Sequence, residues 1–135
     1  MKSRYIIFAD DDADDLELIT GFFRQFNRDV NVLEFRDGKE VLQFLDDFAP
    51  STSSLLLIVL DINMPRVNGL ETLAAIRKHS RFRHIPVVIY TTSINQSDQQ
   101  LAQKLGASWV NKSTSIEGVK QTAKVLAEFC ELQHH

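Results

Sequence analysis

Asp10, Asp11 and Asp61 are the residues of this chain whose type and placement most clearly carry chemistry. Asp10-Asp11 closes the β-like run Tyr5 to Ala9, and Asp61 closes the apolar run Leu55 to Leu60. If those runs are neighbouring parallel strands, all three carboxylates meet at one carboxyl edge. Carboxylates packed within a few ångströms repel one another, so they either hold protons or attract a hard divalent cation. Mg2+ is the natural candidate, with Mn2+ as an alternative. Mg2+ is typically bound through one or two carboxylates plus phosphate oxygens, which leaves a carboxylate to act as a nucleophile toward phosphorus. Acids also gather at strand ends simply because loops are solvated, so Asp10-Asp11 alone says little. Three further features fall at the same edge. Asp61-Ile62-Asn63-Met64-Pro65 followed by Asn68-Gly69 makes a constrained turn, Thr91 ends a fourth run, and Lys112 ends a fifth.

The elements that must position these residues follow from periodicity. Five short runs, Tyr5 to Ala9, Val30 to Phe35, Leu55 to Leu60, Ile85 to Thr91 and Ser108 to Asn111, alternate with five amphipathic helical patterns. That alternation predicts an α/β fold: a doubly wound, five-stranded parallel sheet with helices on both faces. Leu55 to Leu60 is apolar without alternation, as a central strand covered on both sides requires. A strand order of 2-1-3-4-5 puts the reversal point, where such sheets bind ligands, between the strands ending in Asp10 and Asp61.

Helical spacing links Leu16, Ile19, Phe23 and Phe26, and then Val41, Leu42 and Leu45. Asp37-Gly38-Lys39-Glu40 offers an N-cap with Glu at N3. Asn95 or Ser97 can cap the segment running to Leu105, with Gly106 as its C′ residue. The stretch Phe48 to Ser54, with Pro50, reads as a surface loop. In the last helix Ile116, Val119, Ala123, Leu126 and Cys130 form one stripe, expected to cover the sheet. Val125, Phe129 and Leu132 form a second, expected to face water and to meet a partner or a second copy of the chain.

At 135 residues the chain is expected to be one domain, 1–135. No segment approaches the roughly 18 apolar residues of a membrane span, and the N-terminus has no long apolar region, which reads as cytoplasmic with no membrane partner. The net charge is -3 and no Lys/Arg stripe appears, so nucleic acid is not an expected partner. A lone cysteine, Cys130, fits a small core residue. His134 and His135 carry no argument.

With these residues in view, the sequence resembles a response-regulator receiver domain from Tyr5 to about Leu132. Ile6-Ile7-Phe8-Ala9-Asp10-Asp11-Asp12 is similar to the family's first strand and acidic pair, and Leu60 to Gly69 to its phosphoacceptor strand and loop. Ile85 to Thr92 is similar to its fourth strand, and Trp109-Val110-Asn111-Lys112 to its fifth. The resemblance implies a flavodoxin-like fold and a phosphorelay role, with Asp61 phosphorylated. It further implies that Asp11, Asp61 and the Asn63 carbonyl bind Mg2+ directly while Asp10 acts through a water. Lys112 would pair with phosphoryl oxygens, Thr91 would donate a hydrogen bond to one, and Trp109 would move with Thr91 as a switch. The donor would be a sensor histidine kinase or histidine phosphotransfer protein. With the receiver pattern spanning the chain, no output domain is expected, so output would come through binding a downstream protein target or a homodimer partner. Enzymatic activity would be limited to self-phosphorylation from small phosphodonors and self-dephosphorylation.

Two departures stand out. Ser113 follows Lys112 where the family usually has proline, often after a cis bond, and the segment Gly106 to Lys112 is one residue short. A non-proline cis bond costs about 2.5–4 kcal/mol, so a trans bond and a re-routed loop are expected here. A receiver-like module that binds partners without being phosphorylated is the competing reading. A haloacid-dehalogenase-type phosphohydrolase needs an acid where Asn63 stands. A calcium loop fails at Asp15 and Gly21, and a dinucleotide fold lacks a glycine-rich loop after the first strand.

Overall fold

Leu55 to Leu60 is buried at every position, so the strand it forms must be covered on both faces. The computed structural model, which describes residues 3–47 and 54–133, provides that cover. In chain order the elements are β1 (Arg4–Ala9), α1 (Ala13–Phe26), β2 (Val30–Phe35), α2 (Gly38–Asp47), β3 (Leu55–Leu60), α3 (Gly69–Arg77), β4 (Val87–Thr91), α4 (Gln96–Lys104), β5 (Ser108–Asn111) and α5 (Ile116–Leu132). The five strands are parallel in the order β2-β1-β3-β4-β5. This is the doubly wound, flavodoxin-like sheet, and its reversal point lies between β1 and β3.

Because side chains alternate along a strand, the sheet feeds two cores. Ile7, Ile58, Leu60 and Ile89 pack with Val41, Leu45, Leu73, Ile76 and Ala102 from α2, α3 and α4. Ile6, Phe8, Val59 and Tyr90 pack with Leu16, Ile19, Phe23, Val119, Ala123, Leu126 and Cys130 from α1 and α5. Each fully buried Leu, Ile or Phe contributes roughly 1.5–3 kcal/mol of transfer free energy. With β1 and β3 pinned from both sides, the ends of these strands are rigid platforms.

Local signals account for most boundaries. Asp37 accepts from the Glu40 N–H at 2.9 Å, Asn95 from the Asp98 N–H at 3.1 Å, and Ser115 from the Gly118 N–H at 3.0 Å. At the end of α4, Gly106 takes a φ of 76°. The Gly106 N–H bonds the Gln103 carbonyl and the Ala107 N–H the Ala102 carbonyl, a Schellman motif open to glycine because it lacks a Cβ.

Several expectations need correction. β4 begins at Val87, two residues later than the apolar run suggested. Pro86 has no N–H for the ladder, although its carbonyl accepts from Ile58 at 3.1 Å. Phe26, in the last turn of α1, is 38% exposed, and Ile116, the first residue of α5, is 57% exposed. Both sit at helix ends, outside the stretch that packs on the sheet. On α5, Val125 and Leu132 are exposed as expected, but Phe129 is partly buried against the core shared with α1, because α1 lies alongside α5. The expected loop at Phe48 to Ser54 lies outside the described residues except for Ser54, which is buried. No helix among the described residues is long and apolar enough to cross a membrane.

Candidate functional site

The carboxyl ends of β1 and β3 carry Asp10 and Asp61, which pairing of these strands brings together. The Asp61 N–H donates to the Ala9 carbonyl at 2.9 Å, extending the ladder by one residue into the site. Asp10 and Asp61 are buried and Asp11 is exposed, and the three carboxylates each offer an oxygen within 4.8 Å of the others. One Asp10 oxygen accepts from the Asp12 N–H at 2.9 Å, and one Asp61 oxygen accepts from the Ile62 N–H at 2.7 Å. Asp12 then N-caps α1 by accepting from the Asp14 and Asp15 amides.

Lys112 enters from β5. Its N–H donates to the Thr91 carbonyl at 2.8 Å, and its Nζ lies 2.7 Å from Asp10 Oδ2, 2.8 Å from Asp15 Oδ2 and 3.1 Å from Asp61 Oδ2. The ammonium also sits 5.7 Å from the centre of the Tyr90 ring. Among the described residues no peptide bond is cis, so the Lys112–Ser113 bond is trans as expected. The Ser113 hydroxyl receives the Ser115 N–H at 3.1 Å, and Gly118 lets α5 start hard against it, since a Cβ there would meet Ser113 Oγ at 1.9 Å. The shortened strand and missing proline thus leave Lys112 reaching both buried acids.

The loop after Asp61 is held by backbone contacts. The Gly69 and Met64 amides both donate to the Ile62 carbonyl, at 2.9 and 3.0 Å. A Cβ on Gly69 would lie 2.0 Å from the Asp61 carbonyl oxygen, so only glycine lets α3 start against the end of β3. Asn68 and Glu71 close a capping box. Arg66 adopts a φ of 64°, unfavourable for a residue with a Cβ, and its guanidinium binds Asp37 Oδ2 through Nε at 3.0 Å and Nη2 at 2.5 Å. Burial favours the protonated form of Asp37, yet the Glu40 amide and Arg66 outweigh it and hold the carboxyl below the usual range. The Gly38 N–H donates to the Val67 carbonyl at 3.0 Å, tying this loop to the start of α2.

The electrostatics follow from burial. Desolvation pushes the Asp10 carboxyl up to about 6, the charge of Asp61 adds to it, and the Lys112 and Asp12 donors oppose it without cancelling it. Burial alone would lower Lys112, but its hydrogen bonds to Asp10 and Asp15 drive it upward and keep it charged. Asp10, Asp15 and Asp61 share one ammonium and Asp11 adds a further carboxylate beside them, so acids outnumber the cations that face them. The donor set is all hard oxygen, which fits Mg2+ or Mn2+ and suits neither soft nor imidazole-seeking metals.

Of the other residues named from sequence, Asn63 is exposed in the loop. Thr91 is fully buried at the end of β4, its Oγ1 accepting from the Ser93 N–H at 3.2 Å. Trp109, in register with Ile89, is half-buried against the core beneath α2, α3 and α4. Sequence reasoning missed Asp15, Tyr90 and Arg36, whose Nη2 donates to the Asp11 carbonyl at 2.7 Å. The sequence places Asp15 three residues after the N-cap Asp12, on the first turn of α1, but does not say which way it faces.

Comparisons with known proteins agree with this geometry. Residues 6–124 match the family model for the response regulator receiver domain. The probable methanogenesis regulatory protein FilR2 of Methanothrix harundinacea is 31% identical over 92% of this chain and 81% of its own length. The response regulator Rcp1 of Synechocystis sp. is 27% identical over 93% of this chain and 88% of its own. The crystal structure of the Mn2+-bound form of Rcp1 superposes with a TM-score of 0.82 at 26% identity, covering 93% of each chain. That of the phosphorylated cyanobacterial phytochrome response regulator RcpA superposes with a TM-score of 0.85 at 29% identity, covering 96% of this chain and 95% of that one.

Proposed function

The chain belongs to the response regulator receiver domain family, and from that premise we propose that Asp61 is the residue that accepts the phosphoryl group. Receivers partner with a histidine kinase or histidine phosphotransfer protein, and their catalysis is confined to their own phosphorylation and dephosphorylation. In the proposed step an Asp61 oxygen attacks the phosphorus of the donor's phosphohistidine. The P–N bond breaks with its electron pair returning to the imidazole, and an acyl phosphate forms. One Asp61 oxygen takes the Ile62 N–H while Oδ2 is turned toward Lys112.

Asp10, Asp11, Asp61 and the Asn63 carbonyl would hold Mg2+ or Mn2+, which when bound supplies positive charge to the phosphoryl oxygens. Lys112 pairs with those oxygens from the other side. Thr91, whose hydroxyl oxygen accepts from Ser93, still has its own proton to donate to the phosphoryl group. As Thr91 moves, Trp109 on the neighbouring strand follows, and the change is read by a downstream protein or a second copy of the chain. Residues 6–124 act as the receiver, and its output is a phosphorylation-dependent change of the surface that partners meet.

The observation that carries this reading is the buried Lys112 ammonium bridging Asp10 and Asp61 beside Asp11. Mass measurement after incubation with acetyl phosphate and Mg2+ tests it. The wild type should gain one phosphoryl group and Asp61→Asn none; equal labelling of both would remove Asp61 from the role.

A further inference from the structure

Three carboxylates share the Lys112 ammonium, and they are not equivalent. Asp10 and Asp61 belong to the cluster suited to a divalent cation, and Asp61 is also the proposed phosphorylation site. Asp15 is outside that cluster. It projects from the first turn of α1, 2.8 Å from Lys112 Nζ. Once a cation draws on Asp10 and Asp61, Asp15 is the carboxylate among these three still available to the ammonium alone. Such an anchor matters because the ion contacts of Lys112 are with these three carboxylates, and Ser113, which follows it, lacks the ring of a proline.

We propose that Asp15 is a positioning residue for phosphoryl transfer: it holds Lys112 aimed at Asp61 while the metal occupies the other two partners. This rests on the assignment of Asp61 and Lys112 above. The first turn of α1 would then set how firmly the lysine meets the phosphoryl group, in place of the lysine–proline turn. Asp15 neither binds the metal nor touches the phosphoryl group.

The test compares wild type, Asp15→Asn, Asp15→Glu and Asp61→Asn. Two quantities are read: Mg2+ affinity from calorimetry, and the rate of phosphorylation by acetyl phosphate at saturating Mg2+. Asp15→Asn should leave Mg2+ affinity within about twofold, since Asp15 lies outside the cluster and its carboxylate is paired with the ammonium. Its phosphorylation rate should fall about tenfold, the size expected for one charge-assisted hydrogen bond. Asp15→Glu should recover part of the rate. A wild-type rate in Asp15→Asn, a faster one, or a loss that tracks weakened Mg2+ binding overturns the proposal. If wild type and Asp61→Asn label alike, the assignment of Asp61 falls first and this inference with it.

Discussion

The two loops that complete the site are held in place by different means. The loop after β3, from Asp61 to Gly69, is fixed by backbone: paired amides on the Ile62 carbonyl, a close approach only glycine permits, and a tie from the Gly38 amide. The loop after β5, from Lys112 to Ser115, is fixed by side chains: hydroxyl contacts between Ser113 and Ser115 and the ion contacts of Lys112. In the proposed step the first arrangement positions the nucleophile. The second positions a cation that would change partners as charge accumulates on Asp61, and ionic contacts can be redistributed where a backbone wedge cannot.

The largest effect that would sharpen this contrast comes from the charge side. Lys112→Met leaves Asp10 and Asp61 buried without their shared counter-ion, which should cost about 3–5 kcal/mol near neutral pH in metal-free protein. Because the deficit is one of charge, saturating Mg2+ should restore much of it. Urea denaturation with and without Mg2+ reads both values, and a loss that Mg2+ leaves unchanged would mean that packing dominates. Next is Gly69→Ala, where a Cβ meets the Asp61 carbonyl at 2.0 Å and the backbone must shift. A loss of about 3 kcal/mol is expected, and here Mg2+ should give little recovery.

The pH response separates the same two effects. With Asp10 pushed up to about 6, the metal-free folded state keeps a proton that the unfolded chain releases near 3.8. Between those values the folded state binds more protons, so stability should fall as pH rises, by on the order of 3 kcal/mol. Mg2+ affinity should rise over the same range, as the competing proton leaves. Thermal melts from pH 4 to 7.5 check this, and a metal-free protein that gains stability across that window would contradict the assignment of Asp10. The smallest effect is expected from Gly118→Ala. Its Cβ would meet Ser113 Oγ at 1.9 Å and Ser113 Cβ at 2.4 Å; the hydroxyl can rotate away, the Cβ requires the Ser113 loop to shift, and helix propensity returns up to about 1 kcal/mol. A net loss of about 1–2 kcal/mol is expected; a loss as large as that of Gly69→Ala would show the second loop to be as rigid as the first.

Most of the fold was legible because its signals are local. The uninterrupted apolar run at Leu55 to Leu60, the N-caps at Asp37 and Asn95, and Gly106 after α4 each act within a few residues. Failures occurred where packing between distant elements decides. Phe129 is half-buried because α1 lies beside α5, and Ile116 is exposed because it precedes the packed part of its helix.

The same division runs through the site. Residue type and strand-end position were enough to bring Asp10, Asp11, Asp61, Thr91 and Lys112 to one edge, because a parallel sheet delivers all its carboxyl ends to the same side. Asp15 could not be assigned this way. Its carboxylate could have capped α1 or faced water, and only the path of β5, separated from it by 97 residues, brings an ammonium within 2.8 Å. Burial was likewise invisible in the sequence: Asp10 and Asp11 are adjacent and chemically identical, yet one is enclosed and pushed up to about 6 while the other is exposed. The sequence determined which charges arrive at the edge, since strand order and polarity follow from local pattern. Which of them lose water, and which share the lysine, depended on atoms brought together from four separate segments.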